Sequence, residues 1–397
     1  MYVSCDSVMG DILTRGAAPL QRIAGRPPDR PGRAGRSPAP SAHSDSALSV
    51  PGFERRPRAG RVAGMKLLVL GGTEFVGRAV ADDALARGWD VTVLHRGHHP
   101  PPAGVTALHG DRTAPGGLAA LAGGEWDVVV DTWHAAPSAV RDSARLLADR
   151  AGHYAYVSSR SVYAFPTPAG GAEDAALVEG SPDAGPVEYP AAKRGGELAA
   201  EAAFGGRALL VRAGLILGPG ENVGRLPWWL DRIARGGRVL APGPPGLTVQ
   251  YIDARDLAAW TLDASVRGLG GAYNVVGRPG ETTMGDLLET CAQVTGSGAD
   301  LRWSDPGRIV DAGIEPWTDL PVWVPPGELH DTMHRGDVTR AFAAGLRIRP
   351  LAETVADTWE WLRRRRAEGL AEGGPIREDL SRCGLDPDTE ARFLRGE

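Results

Sequence analysis

The stretch that decides the fold is Lys66-Leu-Leu-Val-Leu70, followed directly by Gly71-Gly-Thr-Glu-Phe-Val-Gly77. A short apolar run of this kind predicts a strand that is buried on both faces of a sheet. The glycines predict a tight turn, and the apolar spacing from Phe75 to Arg87 predicts a helix with one buried face. Such a turn exposes backbone N–H groups to which an anion can bind. The same residues would also suit a tight turn with no binding role, so the choice between the two interpretations depends on the rest of the chain.

Strands and helices continue to alternate after this turn. The predicted elements are strands Asp90–Leu94, Val105–His109 and Trp126–Asp131, helix Ser138–Arg150, strand His153–Ser158, helix Val187–Phe204 and strand Arg207–Arg212. Repeated βαβ units predict an α/β fold, namely a Rossmann-type doubly wound parallel sheet. Sheets of this class bind their ligands outside the carboxyl ends of the strands.

The composition is that of an ordinary globular protein. The chain has 397 residues, with 44 Lys plus Arg against 49 Asp plus Glu, and 42% of its residues are hydrophobic. These values exclude collagen-like, coiled-coil and wholly disordered proteins. The three cysteines are too widely spaced for a disulfide framework or a metal knuckle. No apolar run reaches the roughly 20 residues that span a bilayer. We therefore expect a cytoplasmic protein with no membrane segment and no bound metal.

The two ends of the chain differ from its body. Residues 1–64 are rich in Pro, Gly and Arg and lack an apolar period, so we expect a disordered leader. Met65 stands directly before the first strand, and a mis-assigned start is the alternative. Ten Arg against five acids give this leader +5, which leaves the remainder at −10 and argues against nucleic acid as a partner. Residues 363–397 are expected to form a polar C-terminal tail.

The second strand is followed by His95 and Arg96, with no acidic residue nearby. In a dinucleotide-binding fold this position meets the adenosine ribose, and an acid there selects NAD. Arg96 could instead neutralise a 2′-phosphate, which favours NADP over NAD. A solvated loop arginine is the alternative in a chain so rich in Arg. His98, His99 and His109 lie nearby but lack acidic or Cys partners, so no metal site is predicted.

Tyr189 and Lys193 form a second chemical motif. Residues four apart share one face of a helix, and an ammonium beside a phenol favours the phenolate. Tyr189 could therefore act as a general acid or base near neutral pH. Lys66 and Lys193 are the only lysines in the chain, beside 42 arginines. A surface pair that is four apart by chance is the alternative, but the scarcity of lysine favours a specific role.

Ser159 lies in Tyr156-Val-Ser-Ser-Arg-Ser-Val-Tyr-Ala164, at the end of the fifth predicted strand. A hydroxyl at this edge of the sheet could hold a substrate oxygen beside Tyr189. Serine at a strand end can also serve only to form a turn.

These motifs, in this order, resemble the extended and atypical short-chain dehydrogenase/reductase superfamily, of the NAD-dependent epimerase/dehydratase type. The resemblance runs from about Met65 to about Leu362. It implies that Ser159, Tyr189 and Lys193 are catalytic and that Asp111 reads the adenine amino group. It also implies an NAD(P)-binding domain over 65–212, a mainly substrate-binding lobe over 213–362, and a homodimer. The cofactor residues that it implies are Gly71, Thr73, Phe75, Val76, Gly77, His95, Arg96 and Asp111.

Several positions depart from the family pattern. Glu74 replaces the second glycine of the turn, and Asp131-Thr-Trp-His134 stands where the epimerases show His-Leu-Ala-Ala. Leu215 and Val249 stand where sugar-nucleotide epimerases carry an asparagine and an arginine that hold the diphosphate. These departures disfavour a UDP- or TDP-sugar substrate and resemble the atypical branch of the superfamily.

The sequence thus predicts an NAD(P)-dependent oxidoreductase that transfers a hydride at a carbonyl or carbinol of a small substrate. A sugar-like substrate is one option. The first alternative is a nucleotide-sugar epimerase or dehydratase proper. The second is a non-catalytic NAD(P)-binding protein, or an RNA-binding protein such as the chloroplast members of the atypical branch.

Overall fold

The computed structural model describes residues 64–369 and 383–396. The disorder expected for residues 1–64 therefore lies outside the described residues, apart from Gly64. In the first half of the described chain the elements are β1 (Lys66–Leu70), α1 (Phe75–Ala86), β2 (Asp90–His95), β3 (Thr106–His109), β4 (Trp126–Asp131), α2 (Pro137–Leu147), β5 (Ala151–Ser159), α3 (Tyr189–Phe204) and β6 (Ala208–Ala213).

The second half is richer in short elements. It contains β7 (Leu215–Leu217), α4 (Arg225–Ala234), β8 (Arg238–Pro242), β9 (Tyr251–Asp253), α5 (Ala254–Val266), β10 (Gly271–Val275), α6 (Met284–Thr295), β11 (Asp300–Ser304), α7 (Pro306–Asp311), α8 (Glu328–His334), α9 (Thr339–Ala343), α10 (Leu351–Ala367) and α11 (Pro387–Arg395). Among residues 64–369 and 383–396, no helix is both long and apolar enough to cross a membrane.

The central sheet has seven strands in the order β3-β2-β1-β4-β5-β6-β10. Every neighbouring pair is parallel. The structure confirms the prediction of a Rossmann-type doubly wound sheet. The strand order reverses between β1 and β4, and a ligand crevice forms at such a switch point in this class of fold.

Strand β1 explains why the first apolar run is continuous. Leu67 and Val69 pack on one face of the sheet, in a core that includes α1 and α5. Leu68 and Leu70 pack on the opposite face, in a core that includes α2 and α3. Because successive side chains of a strand point to opposite faces, a strand covered on both sides needs apolar residues throughout.

Apart from the cores on the two faces of the sheet, a separate core, called the second core below, lies in the C-terminal half. There α4, α6 and α10 pack together, and the largest fully buried side chains are Trp229 and Trp323. The expected lobe over 213–362 is not one continuous body. Helix α5 and strand β10 return to the main sheet, since β10 pairs with β6 and Leu257 joins the core beneath α1.

The expected polar tail over 363–397 also differs from the structure. Residues 363–367 continue α10, and α11 places Phe393 in the second core. Glu390, which is buried, accepts hydrogen bonds from Arg232 Nε at 2.5 Å and from the backbone N–H of Leu240 at 2.9 Å. Helix α11 has too few apolar residues to show a clear helical period, so the sequence did not predict that it packs against the second core.

Candidate functional site

The turn between β1 and α1 is built on two glycines. Gly71 has φ +97°, and a β-carbon there would lie 2.7 Å from Thr132 Oγ1. Gly77 packs still closer, since its β-carbon would lie 2.1 Å from the carbonyl oxygen of Gly71. Only glycine satisfies both contacts, so the turn holds the N-terminus of α1 tightly against the end of β1.

An open cleft lies over this turn at the switch point of the sheet. Its walls come from the carboxyl ends of β1, β2 and β4 and from the loop after β7. Seven of the eight residues expected to bind a cofactor line it, namely Gly71, Thr73, Phe75, Val76, Gly77, His95 and Arg96. Asp111 does not line it, although its neighbours Gly110 and Arg112 do.

Asp111 is engaged in a local turn. Its Oδ1 accepts hydrogen bonds from the backbone N–H and the hydroxyl of Thr113, at 2.9 and 2.7 Å. These hydrogen bonds lower the pKa of the Asp111 carboxyl. The role of reading the adenine amino group, which the family resemblance implies, therefore stays a prediction.

The end of the cleft beside β2 is basic. Arg96 is exposed there, and the rings of His95 and His109 lie 5.4 Å apart. Burial, together with the neighbouring His109, lowers the pKa of His95. Over the described part of the chain, no group of three or more His, Cys, Asp or Glu side chains could hold a metal ion.

Glu74 is the one acidic residue among those that line the cleft. It precedes α1 in an extended conformation, and its side chain makes no capping hydrogen bond to the helix. The carboxylate lies 3.4 Å from Nε2 of His99 and is partly exposed. The carboxylate is therefore directed towards the loop after β2.

Lys193 does not line the cleft but lies behind Trp133, which does. Its side chain is buried, and its Nζ donates hydrogen bonds to the carbonyl oxygens of Trp133 at 2.6 Å and Val157 at 2.7 Å. Trp133 itself lines the cleft. The ammonium group is thus held between the ends of β4 and β5, next to the cleft wall.

Tyr189 and Ser159 lie at the same edge of the sheet. Tyr189 is the first residue of α3 and is partly buried, with its ring centroid 5.9 Å from Lys193 Nζ. Ser159 is the last residue of β5, and its hydroxyl donates a hydrogen bond to Ser161 Oγ at 3.1 Å. This arrangement offers a phenol near a cation and a hydroxyl at a neighbouring strand end.

A buried ion pair below the cleft was not predicted from the sequence. Both guanidinium Nη atoms of Arg112 donate to the carboxylate of Asp131, at 2.7 Å each. Burial is the strongest single influence and would raise the pKa of Asp131, but the Arg112 charge and the hydrogen bonds to the carboxylate together lower it. The signal was present, because Asp131 departs from the family pattern at the end of a buried strand.

The residue after Ser159 anchors a further buried cluster. Arg160 donates to the carbonyl oxygens of Thr332 and Met333 in α8, both at 2.9 Å. Burial lowers the pKa of Arg160 to about 10. His334, also buried in α8, accepts a hydrogen bond at Nδ1 from the backbone N–H of Gln250. Burial, with smaller contributions from His330 and Arg160, lowers the pKa of His334 to about 3.

We expect His334 to make the fold acid-sensitive. Its neutral form is favoured in the folded state, so its contribution is complete above the unfolded pKa of about 6.5 and is lost as the pH falls towards 3. Between pH 8 and 5 the loss is about 2 kcal/mol, because over this range the unfolded imidazole gains its proton and the slope approaches about 1.36 kcal/mol per pH unit. His334→Asn keeps an acceptor for the Gln250 N–H without a group that titrates there.

The measurement is the free energy of unfolding in urea at both pH values. The wild type should lose about 2 kcal/mol more than His334→Asn between them. Equal losses in the two proteins would show that His334 is protonated in the folded state.

The cleft fits a dinucleotide in its order of groups. Along the strand order β2-β1-β4, Arg96 lies at the end of β2, the glycine turn lies at the end of β1, and Trp133, whose carbonyl binds Lys193, lies after β4. Glu74 is the one acidic side chain among the residues that line the cleft, and its contact with His99 turns the carboxylate towards the loop after β2. The residues present therefore match the adenosine, pyrophosphate and nicotinamide ribose in sequence.

A parallel sheet of this strand order, with a glycine turn and a cleft at its switch point, defines a dinucleotide-binding protein of the doubly wound class. The model of the NAD dependent epimerase/dehydratase family matches residues 67–275. The chain belongs to that family. A comparison with curated protein sequences gives no significant match.

Solved structures of low sequence identity share the fold. Epimerase Mth375 from Methanothermobacter thermautotrophicus is 15% identical with a TM-score of 0.59, over 77% of this chain and 94% of that chain. UDP-glucuronic acid 4-epimerase from Bacillus cereus, in complex with NAD, is 14% identical with a TM-score of 0.57, over 77% and 99%. The Bordetella bronchiseptica enzyme WbmF, in complex with NAD+ and UDP, is 18% identical with a TM-score of 0.54, over 78% and 96%.

Proposed function

We propose that the protein is an NAD(P)-dependent oxidoreductase of the epimerase/dehydratase type, which acts on a carbonyl or carbinol of a small substrate. The observation that carries this proposal is the placement of Lys193. Its ammonium is buried between two strand ends, 2.6 Å from a carbonyl in the cleft wall and 5.9 Å from the centre of the Tyr189 ring. It is the one buried lysine of a chain that otherwise uses arginine for nearly all its positive charges.

The three expected catalytic residues then have distinct roles. Lys193 binds the nicotinamide ribose and, as a cation, favours the phenolate form of Tyr189. Tyr189 Oη takes the proton from a substrate hydroxyl during oxidation or gives it to a carbonyl oxygen during reduction. Ser159 Oγ donates a hydrogen bond to the same substrate oxygen and fixes its orientation. When bound, the nicotinamide supplies the hydride acceptor or donor.

We propose NADP as the preferred cofactor, with NAD as the alternative. Arg96 is exposed at the end of β2, and Leu94 and His95, the other cleft residues from this strand end, are not acids that could bind the ribose hydroxyls. A guanidinium can bind a 2′-phosphate by two charge-assisted hydrogen bonds. The similar structures with NAD in the B. cereus enzyme and NAD+ in WbmF support the dinucleotide itself but not this preference.

We expect Arg96→Ala to weaken NADPH binding about 10- to 100-fold and to leave NADH binding nearly unchanged. The loss follows from one hydrogen-bonded charge pair, at about 1.5–3 kcal/mol. The measurement is a fluorescence titration of each nucleotide with the full chain. Arg78→Ala is the matched control, because Arg78 is an exposed arginine of α1 that pairs with Asp82 outside the cleft.

The outcomes separate three possibilities. Tighter binding of NADPH than NADH, lost in Arg96→Ala alone, supports the proposed preference. Equal loss of both nucleotides in Arg96→Ala contradicts a 2′-phosphate contact. Failure of the wild type to bind either nucleotide contradicts the proposed function as a whole.

A nucleotide-sugar epimerase proper is the second candidate, favoured by the activity named for the B. cereus enzyme. Two positions count against it here. Val249 is buried in the second core, and Leu215 lies in β7 with an apolar side chain. Neither offers a hydrogen bond to a diphosphate. Simple carbonyl compounds would be screened for net oxidation of NADPH or NADH, and UDP-sugars for an epimerised or dehydrated product. The second readout is needed because an epimerase returns its hydride to the sugar and consumes no free nucleotide.

Three further expectations stay proposals. An inert cofactor-binding or RNA-binding protein remains the alternative to an enzyme, and it predicts NADPH binding without turnover of any substrate. A homodimer through α2 and α3, which the family resemblance implies, predicts a doubled mass in sedimentation. A cytoplasmic location is expected from the composition and would be tested by fractionation of the cells.

A further inference from the structure

Asp131 occupies the most buried polar position below the cleft. Its side chain is fully buried at the end of β4, and its carboxylate accepts two hydrogen bonds from Arg112. It also accepts one from the hydroxyl of Tyr154, at 2.6 Å, and one from the backbone N–H of Trp133, at 2.9 Å. All of its acceptor capacity is therefore used within the protein.

Stability alone does not account for such a pair. Removing two charges from water costs about as much as their attraction returns, and well-packed apolar residues of similar volume are often as stable or more so. The hydrogen bonds that Asp131 accepts from Trp133 and Tyr154 indicate the role of the Arg112–Asp131 pair. They fix the peptide groups that lead from β4 into the cleft wall.

Trp133 is held on three sides. Its backbone N–H donates to Asp131, its indole Nε1 donates to the carbonyl oxygen of Ala136 at 3.0 Å, and the Arg112 guanidinium lies 5.2 Å from its ring centroid. These contacts leave its carbonyl in one orientation. That carbonyl accepts from Lys193 Nζ at 2.6 Å and from the hydroxyl of Tyr156 at 3.0 Å.

We propose that Asp131 and Arg112 are positioning residues for the Lys193 ammonium and act on it through Trp133. The carboxylate holds the N–H of the same residue whose carbonyl holds the lysine. Arg112 holds the carboxylate in place from the loop after β3, so that the carboxyl ends of β3, β4 and β5 are tied to one cation. The inference rests on the proposed function in one respect, since it assumes that Lys193 serves a bound cofactor.

The two lysines of the chain make this testable without cofactor or substrate. Lys66 is exposed at the start of β1, whereas Lys193 is buried. Trace acylation of the full chain, quantified by mass spectrometry, gives the labelling rate of Lys193 relative to Lys66. In the double variant Arg112→Met with Asp131→Leu, we expect this ratio to rise at least about tenfold, the equivalent of one lost charged hydrogen bond.

The matched control is a second buried ion pair, far from the cleft. Arg232 and Glu390 pair in the second core, and Arg232→Met with Glu390→Leu should leave the Lys193 ratio unchanged. Both double variants replace a buried ion pair by apolar residues, and both leave a buried donor unpaired: the Tyr154 hydroxyl in one and the Leu240 N–H in the other. Thermal unfolding therefore has to show that each variant is folded at the labelling temperature. A rise confined to the Arg112 and Asp131 variant supports positioning, and an unchanged ratio in that folded variant overturns it.

A single substitution covers the case in which the double variant does not fold. Arg112→Lys keeps the positive charge but cannot hold both carboxylate oxygens in one plane, so we expect the ratio to rise about threefold. No rise in folded Arg112→Lys would also overturn the inference.

NADPH titration of the wild type tests the proposed function separately. If the wild type does not bind NADPH but the labelling of Lys193 changes in the variants, the cofactor role is refuted and the positioning is not. Once a substrate is found, the pH profile of kcat should shift in Arg112→Lys and stay unchanged in the Arg232 and Glu390 variant.

Discussion

Tyr189→Phe is expected to lower kcat by about 10²- to 10⁴-fold, the usual range for losing a positioned proton donor or acceptor. The substitution removes the phenol hydroxyl and keeps the ring that lies 5.9 Å from Lys193 Nζ. NADPH affinity should therefore change less than about threefold, so that the loss falls on kcat and not on binding. The measurement is turnover of the substrate found in the carbonyl and carbinol screen, beside a nucleotide titration.

Tyr273→Phe is the matched control for this variant. Tyr273 lies on β10, packs against Trp260 at 5.2 Å between ring centroids, and is not among the residues that line the cleft. Its loss of a hydroxyl should leave kcat unchanged. Full activity of Tyr189→Phe would mean that another group moves the proton, and the assignment of Tyr189 would then be wrong.

Gly77→Ala is expected to reduce the affinity for NADPH by about 100-fold or more. The new β-carbon would lie 2.1 Å from the carbonyl oxygen of Gly71, which is backbone and cannot turn aside as a flexible side chain does. The turn must open, and displacements of about 1 Å at a binding site can lower function by about 10². Alanine is intrinsically better than glycine within a helix by about 1 kcal/mol, so any loss must come from this contact. Nucleotide titration and thermal unfolding would measure the two effects.

Gly123→Ala provides the comparison. Gly123 lies in an exposed turn before β4, and a β-carbon there would meet no atom within 4 Å. This variant should bind NADPH as the wild type does. Normal binding by Gly77→Ala would show that the dinucleotide does not rest on the β1–α1 turn.

The sequence was most informative where a strand is covered on both faces. The apolar run of β1 and the βαβ alternation predicted the parallel sheet, because a two-sided core requires apolar residues at every position. The bounds were also close: Trp126–Asp131 agrees with β4, and helix Val187–Phe204 differs from α3 by two residues at its start. The glycine turn predicted where the cleft lies, and most of the expected cofactor residues line it.

The parts that were missed depend on side-chain direction across long separations in the chain. Arg112 and Asp131 come from different strand ends, and spacing alone does not reveal that they point at each other. The docking of α11 was missed for a related reason, since Phe393 is one apolar residue in a short polar helix. Asp111 is the opposite case. The sequence motif predicted a contact with the adenine, but in the structure the carboxylate accepts a hydrogen bond from Thr113.

The return of α5 and β10 to the main sheet has a consequence for protein engineering. A fragment that ends at residue 212 would lack the edge strand beside β6 and the helix over α1, and would expose Val80 and Ala84 to water. The nucleotide module therefore cannot be excised at a single boundary and grafted elsewhere. Its minimal transferable unit extends through β10. Because the second core packs α4 against α6 and α10, a chimera between relatives should exchange residues 218–253 together with the chain after β10, instead of joining two halves end to end.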